Sequence, residues 1–354
     1  MQAALTLPAM TLFGTRTEAA TLPAANWEKT SLQQAGLKAA AIEALELKLC
    51  TLPTTSFMIV SGGKISYSYG DIAEVSYLAS ARKSILSMMF GKYVANGTIN
   101  LDRTMGELGI DEPDGLLPIE KTAKIRDLLI ASSGVYHAAG SPGDDPNKIE
   151  RGSKQPGTFF HYNNWDFNVI GAIFEKLTHK TVFNALAQDL AKPLQLQDYT
   201  VGRQRMMGFE NQSKYLAYHL FLSARDMARL GLLMARGGNW NGQQIVPANW
   251  VKESTAQHVK PESVGRGGEL GYGYLWWVPA TRAGPEWKGS YMMSGQFGQF
   301  VLVMPAIDTV IVHRRAVTDE YAVQRNLGKT TFEPTRVESP AFLQLADMVV
   351  AARS

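Results

Sequence analysis

The chain has 354 residues but a single cysteine, Cys50, and only six histidines. One thiol cannot form an internal disulfide, and without a second thiolate a multi-cysteine zinc site is excluded. None of the histidines lies in a His-Glu-x-x-His pattern, so we expect no metal and no other cofactor. Leucines surround Cys50 in the sequence, which favours a buried structural thiol.

No block of like charge and no long apolar run is present. Lys and Arg total 35 against 32 Asp and Glu, which gives a net charge of +3 with the two signs interspersed. This mixture is typical of a solvated surface, and nothing in it indicates binding to nucleic acid or to an anionic membrane. No apolar run reaches the roughly 18 residues of a membrane span, so we expect no transmembrane segment.

The first 26 residues are apolar and rich in small side chains, but they lack the basic start of an export signal. We interpret residues 1–26 as a leader or as a segment that lies along the surface. The remnant of an export signal would favour an exported or periplasmic protein over a cytoplasmic one. A loose terminus without a targeting role has the same composition, so this alternative stays open.

The rest of the chain alternates between helical and extended patterns. A helix is predicted over 31–49, where Ser31 and Gln34 form a capping box. Two β-rich runs around Gly62-Gly63 predict a hairpin. Further helices are predicted over 80–95, 125–130, 167–177, 182–190, 223–236 and 341–352. Strands are predicted over 56–60, 64–69, 272–278, 289–293, 299–304 and 309–313.

This order of elements predicts an α/β (α+β) fold. One antiparallel sheet, flanked by helices, is split in sequence by a helical insertion. We expect a sheet domain formed by 27–80 plus 240–354 and a helical insertion domain over 81–239.

The usual serine-hydrolase signature, Gly-x-Ser-x-Gly, does not occur. Ser-x-x-Lys occurs twice, as Ser61-Gly62-Gly63-Lys64 and as Ser80-Ala81-Arg82-Lys83. A chain of this length should contain about one or two such matches by chance. The first lies in the predicted hairpin turn, where nothing places both side chains on one face. The second opens an apolar helix, where residues three apart share a face with about 5–6 Å between their Cβ atoms.

A serine hydroxyl becomes an effective nucleophile only when a base removes its proton. A buried lysine can be that base where its surroundings favour the neutral amine, and a tyrosine ionised beside it would serve equally. The single Tyr-x-Asn sequence, Tyr162-Asn163-Asn164, follows a glycine- and proline-rich loop over 134–157. Taken separately, these residues are more often a helix cap, a solvated lysine and a packing tyrosine. Their occurrence together, in this order, favours a catalytic set.

These motifs resemble those of the serine β-lactamase-like and penicillin-binding superfamily. The tyrosine in the second motif is similar to the branch with class C β-lactamases, β-lactamase-like carboxylesterases and relatives of 6-aminohexanoate-dimer hydrolase. The resemblance extends from about residue 31 to the C-terminus, and the other matching segments are 125–134, 222–231, 271–277 and 298–308. It implies a β-lactamase-like fold, with Ser80 as nucleophile and Lys83 and Tyr162 sharing the roles of general base and acid. Asn164 would orient the substrate or the lysine.

The third motif of the family, Lys-Thr-Gly, is best matched by Met293-Ser294-Gly295. By the resemblance, Gly295 permits close approach of substrate to the strand, and the backbone N–H of Gln296 is the second oxyanion donor beside that of Ser80. The family's lysine helps to hold the carboxylate of lactam substrates. Its replacement by Met293 therefore disfavours efficient β-lactam hydrolysis and favours simple esters and amides.

Several other residues have both a functional and a structural interpretation. The aromatic residues of the 272–277 segment could line an acyl pocket or cover the sheet, and packing is the commoner outcome. His137 follows Gly134 at the start of the long loop, but Lys83 and Tyr162 already supply a proton path without it. The remaining residues stay unassigned, although each could contact a charged end of a substrate: Asp144, Asp145, and His313-Arg314-Arg315.

The sequence predicts a serine hydrolase that cleaves ester or amide bonds through an acyl-enzyme on Ser80. The expected partner is a small-molecule ester, amide or lactam substrate. One alternative is a penicillin-recognising β-lactamase or D,D-peptidase-like protein, against which Met293 argues. The other alternative is a non-catalytic binding protein on the same scaffold, which the intact first two motifs disfavour.

Overall fold

The computed structural model describes residues 21–142, 149–265 and 268–353. The helices within these ranges are α1 (Ala39–Cys50), α2 (Arg82–Ala95), α3 (Ile125–Leu129), α4 (Asn164–Thr178), α5 (Val182–Ala185), α6 (Lys192–Leu194), α7 (Ala224–Ala235), α8 (Ala248–Ser254), α9 (Pro261–Val264), α10 (Asp319–Asn326) and α11 (Ser339–Ala351). The strands are β1 (Ser56–Ser61), β2 (Lys64–Gly70), β3 (Ser76–Tyr77), β4 (Arg205–Met207), β5 (Ala217–His219), β6 (Phe221–Leu222), β7 (Asn239–Trp240), β8 (Gln243–Gln244), β9 (Gly271–Tyr272), β10 (Trp277–Val278), β11 (Tyr291–Gly295), β12 (Gln299–Met304) and β13 (Thr309–Arg314).

Seven of these strands form one antiparallel sheet in the order β2-β1-β13-β12-β11-β10-β9. The sheet joins the beginning of the chain to its end, because β1 pairs with β13 across most of the sequence. Most of the helices lie in the intervening stretch. The predicted fold class, an antiparallel sheet flanked by helices with an inserted helical region, is confirmed.

Helices cover both faces of the sheet, because side chains alternate between the two faces along each strand. On one face, Phe300 and His313 are register partners, and Phe342 of α11 stacks on Phe300 with 4.6 Å between ring centroids. On the other face lies α7, where a Cβ added at Gly231 would be only 2.7 Å from Val310. Every residue of β12 and β13 is accordingly buried.

Helix α2 runs through the interior, with 11 of its 14 residues buried, as its nearly uniform apolar pattern predicts. The predicted helix start at Ser80 is shifted, because Ala79–Ala81 form a 3₁₀ turn and the α-helix begins at Arg82. Ala79 has a φ of 47°, a left-handed conformation that an α-helix cannot contain. The helix ends at Ala95, as predicted, and Asn96 is its C-cap residue.

The predicted helix over 31–49 starts too early. Ser31 and Gln34 do exchange the hydrogen bonds of a capping box, at 3.2 and 3.3 Å, but these bonds close an isolated turn. Gly36 then takes a left-handed φ of 67°, and Leu37 forms a β-bridge with Arg353 before α1 begins at Ala39. The long-range bridge therefore interrupts the local helical pattern.

Two further expectations are wrong. Cys50 is exposed instead of buried, because it is the last residue of α1 and lies one position beyond Leu49 of the buried stripe. The segment 272–278 is not one strand but two short strands, β9 and β10, whose reversal includes Leu275 with a φ of 64°.

The predicted helix over 182–190 continues from α5 into a π-helix, Leu186–Ala191.

The predicted division into 27–80 plus 240–354 and 81–239 remains a proposal. Helix α7 falls within 81–239, yet it packs on β12 and β13 of the sheet. Of the predicted leader, residues 1–20 lie outside the described residues. Ala24 and Ala25 accept hydrogen bonds from the Arg229 guanidinium of α7, at 2.8 and 3.0 Å. Over the described part of the chain, no helix combines the length and apolarity needed to cross a membrane.

Candidate active site

The side chains of the two sequence motifs meet at the amine of Lys83. Its Nζ donates to Ser80 Oγ at 3.1 Å, to Tyr162 OH at 2.8 Å and to Asn164 Oδ1 at 2.9 Å. The Lys83 residue is only 1% exposed. Residues 83 and 162 are 79 positions apart in sequence, so this contact depends on the tertiary fold and not on local spacing.

The turn that carries Ser80 is fixed on both sides. Arg82 Nη1 donates to Ala79 O at 3.0 Å, and Ser84 Oγ donates to Leu275 O at 2.7 Å. No side-chain cap is present at the start of α2, so Ser80 is not serving as a helix cap here. The left-handed Ala79 directly before Ser80 is the kind of backbone strain that accumulates at functional sites.

The second motif is held by helix α4. Asn163 caps this helix by accepting from Asp166 N at 2.9 Å, and Asn164 is therefore its first residue. Asn164 Nδ2 donates to Pro142 O at 3.2 Å, which orients its amide so that the carbonyl oxygen faces Lys83.

Aromatic rings surround the buried amine. The Tyr162 ring lies 4.6 Å from the Phe167 ring and 5.4 Å from the Trp277 ring, measured between centroids. Lys83 Nζ is 3.9 Å from the Phe167 centroid, a distance at which a cationic amine gains from the ring's negative face. The rings restrict the positions of Tyr162 and of the amine, and they separate Lys83 from bulk water.

The end of β11 forms the opposite wall of a cavity of about 300 Å³ beside Ser80. Ser294, Gly295 and Gln296 all line it. A Cβ at Gly295 would be 2.3 Å from Leu78 O and 2.8 Å from Ala81 N. A glycine is therefore required for the Ser80 turn to approach the strand, a requirement that is separate from the predicted approach of substrate.

The sequence did not identify part of the cavity wall, which consists of Phe297, Phe300 and the segment 336–339. Phe300 lies in a matching segment, 298–308, which could have indicated it. The segment 336–339 carries no motif. It reaches the cavity because Val337 N donates to Phe297 O at 3.1 Å, a contact between distant parts of the chain.

The aromatic residues of the 272–277 segment do not all have the same role: one lines the cavity and others pack in the core. Trp277 lines the cavity. Trp276 is fully buried against Tyr291, with 5.2 Å between centroids, and Tyr274 stacks on His258 at 4.2 Å. Only one of these three residues therefore belongs to the cavity, and the other two pack in the core.

The remaining candidates contact groups other than the Ser80 cavity. His137 Nε2 lies 2.8 Å from Asp114 Oδ1. Arg314 donates to Ser76 Oγ and to the Gln299 Oε1 atom at 2.5 Å each, and to Leu222 O at 2.7 Å. Arg314 is thus a buried structural group, and burial lowers its pKa to about 9. Asp144 and Asp145 lie outside the described residues.

A buried carboxyl lies next to the second motif. Asp166 accepts a hydrogen bond from Ser133 Oγ at 2.6 Å, and burial raises its pKa to about 8. This carboxyl is therefore mostly protonated at neutral pH and adds little negative charge beside the second motif. Within 21–142, 149–265 and 268–353, no three His, Cys, Asp or Glu side chains come together as a metal site.

The antiparallel sheet flanked by helices is the β-lactamase-like fold. The model of the Beta-lactamase family matches residues 43–317, and the chain belongs to this family. Its superfamily typically uses serine acyl-enzyme hydrolysis. No curated protein matches the chain.

Solved structures share the fold at low sequence identity. A protein from Bacillus anthracis assigned as a 6-aminohexanoate-dimer hydrolase is 16% identical with a TM-score of 0.64, over 93% of this chain and 89% of its own. A protein from Bacteroides dorei assigned as a β-lactamase has the same identity, 16%, and TM-score, 0.64, over 89% and 99% of the two chains. EstCE1, a hydrolase with promiscuous acyltransferase activity, is 15% identical with a TM-score of 0.61, over 89% and 98%.

Proposed function

We propose that the protein is a serine hydrolase that cleaves ester or amide bonds through an acyl-enzyme on Ser80. The observation that carries this proposal is the position of Lys83 Nζ, within hydrogen-bond distance of Ser80 Oγ, Tyr162 OH and Asn164 Oδ1. One buried amine therefore connects a nucleophile, a second proton carrier and an orienting amide.

The acylation step begins when Ser80 Oγ attacks the substrate carbonyl carbon and loses its proton to the Lys83–Tyr162 pair. The two groups are 2.8 Å apart, so the proton can be held by either of them. As the tetrahedral intermediate collapses, the pair returns that proton to the departing alcohol or amine. Asn164 supports this exchange because it holds the amine between the two hydroxyls.

The developing negative charge on the carbonyl oxygen requires hydrogen-bond donors. We assign this role to the backbone N–H groups of Ser80 and Gln296, which lie on opposite walls of the same cavity. The close packing of Gly295 against Leu78 and Ala81 supports the assignment, because it brings the two backbone segments together.

Deacylation uses the same groups in the reverse direction. A water molecule passes a proton to the Lys83–Tyr162 pair as it attacks the acyl carbon, and Ser80 Oγ regains a proton when the bond to the acyl group breaks. Atoms and protons then balance over the cycle, and no further cofactor is required.

The substrate is proposed to be a simple ester or amide instead of a lactam. Met293, at the position of the family's lysine, is fully buried and offers no positive charge to a lactam carboxylate. The names of two similar structures, a 6-aminohexanoate-dimer hydrolase and a hydrolase with acyltransferase activity, accord with this choice.

The test uses both serines of the two Ser-x-x-Lys matches. Wild type, Ser80→Ala and Ser61→Ala are assayed with p-nitrophenyl esters, short amides and nitrocefin, and labelled with a fluorophosphonate followed by intact-mass measurement. We expect Ser80→Ala to lose the label and to lower turnover by roughly 10⁴-fold or more. Ser61→Ala should behave like wild type.

Labelling and turnover of Ser80→Ala at the wild-type level would contradict the proposal. Stable acylation by penicillin with slow release would instead favour a penicillin-recognising protein. A folded wild type with no turnover across the whole panel would favour a binding protein on this scaffold.

A further inference from the structure

The side chain of Gln296 is held by two residues from the C-terminal part of the chain. Arg325 Nη2 donates to Gln296 Oε1 at 2.7 Å, and Gln296 Nε2 donates to Glu333 Oε2 at 3.2 Å. Arg325 Nε donates to Glu333 Oε1 at 3.0 Å, so each of the three side chains contacts the other two. We call this closed set the Gln296 ring. Its arginine is only 7% exposed, which strengthens a charge-assisted hydrogen bond.

The same guanidinium also contacts the next residue of the turn. It lies 5.5 Å from the centroid of the Phe297 ring. Phe297 has a φ of 73°, a left-handed conformation that is unfavourable for an aromatic residue. The turn between β11 and β12 is therefore strained, and Arg325 contacts the side chains of both residues in its centre.

Two of the three residues of the Gln296 ring lie outside the part of the chain that matches the family. The family match ends at residue 317, whereas Arg325 belongs to α10 and Glu333 to the segment that follows it. The 3₁₀ turn of Ser80 and the strand β11 lie within the match. Support for the turn at Gln296 thus comes from residues C-terminal to the matched region.

We propose that Arg325 is a positioning residue for the oxyanion hole, acting through the side chain of Gln296. This inference rests on the proposed function, since it concerns the Gln296 N–H that would bind the developing oxyanion. A donor stabilises the transition state only when it is held at the correct position before the reaction. Because the turn is strained, the Gln296 ring supplies the restraint that keeps this N–H directed into the cavity.

The expected effect is a loss in kcat with little change in KM. Arg325→Met keeps much of the side-chain length, and its apolar stem can still contact Phe297, but it removes both hydrogen bonds of the guanidinium. We expect kcat for a short p-nitrophenyl ester to fall about 10- to 100-fold, somewhat less than for the loss of a whole donor. Affinity for a boronic acid, which forms a tetrahedral anion on a catalytic serine, should fall by the same factor.

Two further variants test the route of the effect. If Arg325 acts through the Gln296 side chain, Gln296→Ala should cause a similar loss and keep the backbone N–H. Adding Arg325→Met to Gln296→Ala should then have little further effect. Glu333→Gln, which keeps a hydrogen-bond acceptor, should cause a smaller loss in the same direction, and it serves as the test if Arg325→Met does not fold.

The control is Arg203→Met. Arg203 also contacts α10, through Asp319 Oδ2 at 3.1 Å, but on an exposed surface. Equal losses in Arg203→Met and Arg325→Met would show a general loosening of α10 and overturn the inference. A folded Arg325→Met with wild-type kcat and boronate affinity would also overturn it. An active Ser80→Ala would instead overturn the proposed function itself, so the two failures are distinguishable.

Discussion

The two Ser-x-x-Lys matches have the same pattern and opposite surroundings. Lys64 pairs with Glu28 Oε2 at 2.8 Å, and Ser61 Oγ lies 3.0 Å from Ser66 Oγ, so the two residues of the match bind other partners. Lys83 is buried and donates to Ser80 at 3.1 Å. Helical geometry, and not the spacing alone, therefore brings a serine and a lysine together.

The size of the neighbouring cavity does not distinguish the two matches. A surface cleft of about 690 Å³ adjoins Ser61 and Lys64, whereas the cavity beside Ser80 has about 300 Å³. The larger cleft has an acidic side chain, Asp308, on its wall, and no tyrosine is among its described lining residues. The cavity beside Ser80 differs because the side chains of Ser80 and Tyr162 both contact the Lys83 amine, which is shielded from water.

Replacing each lysine with methionine should separate the two matches most clearly. Lys83→Met removes the proposed base, and we expect acylation by p-nitrophenyl esters to slow by up to roughly 10⁴-fold, as for a general base. Lys64→Met removes an exposed ion pair, so it should leave turnover unchanged and shift the free energy of unfolding by less than about 1 kcal/mol. Turnover and urea unfolding measure the two effects.

A Lys83→Met variant that is folded and retains a tenth of the wild-type rate would contradict the role of this lysine. An equal loss in Lys64→Met would also remove the distinction between the two matches, because both lysines would then affect the reaction to the same degree.

The glycines near the two matches should differ as well. Gly295→Ala places a Cβ 2.3 Å from Leu78 O, so the Ser80 turn must move. We expect a destabilisation of about 1–3 kcal/mol and, since small misplacements of reacting groups are costly, a rate loss approaching 10²-fold. Among the described residues, no atom lies within 4 Å of the Cβ that Gly62→Ala would add, but residue 62 has a φ of 59°. Gly62→Ala should cost about 1–2 kcal/mol of stability and leave turnover unchanged.

Kinetics of the two alanine variants, with thermal unfolding in parallel, check this expectation. If Gly295→Ala loses stability but retains its rate, the close approach of β11 to the Ser80 turn is structural only. A rate loss in Gly62→Ala would show that the hairpin contributes to the reaction, contrary to the comparison.

The parts of the molecule that depend on local pattern could be predicted from the sequence. The β1–β2 hairpin around Gly62-Gly63 and the end of α2 at Ala95 are where the turn and capping residues place them. The contact between Ser80 and Lys83 also follows from three-residue spacing near a helix. Each of these features needs only a few consecutive residues.

The parts that depend on distant contacts could not be predicted. The first helical turn ends early, at Gly36, because Leu37 forms a β-bridge with Arg353. No local sequence pattern indicates this bridge. Cys50 lies beside leucines in sequence but on another side of α1, because one step rotates the helix by about 100°. The Gln296 ring likewise joins residues whose side chains carry no motif.

The pH dependence of stability also separates the two regions of the chain. Asp166 lies beside the second motif, and burial raises its pKa to about 8 from an ordinary value of 3.8. His313 lies on β13 beside β1, the strand that ends at Ser61, and burial lowers its pKa to about 4 from 6.5. A raised carboxyl pKa contributes stability that is present below pH 4 and lost as pH rises to 8. A lowered histidine pKa contributes stability that is present above pH 6.5 and lost as pH falls to 4.

The interval from about pH 7.5 to 8.5 therefore reports mainly on Asp166, since the His313 imidazole is almost entirely neutral there in both the folded and the unfolded protein. Asp166→Asn keeps an acceptor for Ser133 Oγ and removes the titration. We expect urea unfolding to show wild type losing stability between about pH 7.5 and 8.5, and Asp166→Asn losing less. His313→Asn should match wild type across this interval and differ from it in acid. An unchanged pH slope in Asp166→Asn would mean that the carboxyl is already ionised in the folded protein, and that a negative charge lies beside the second motif.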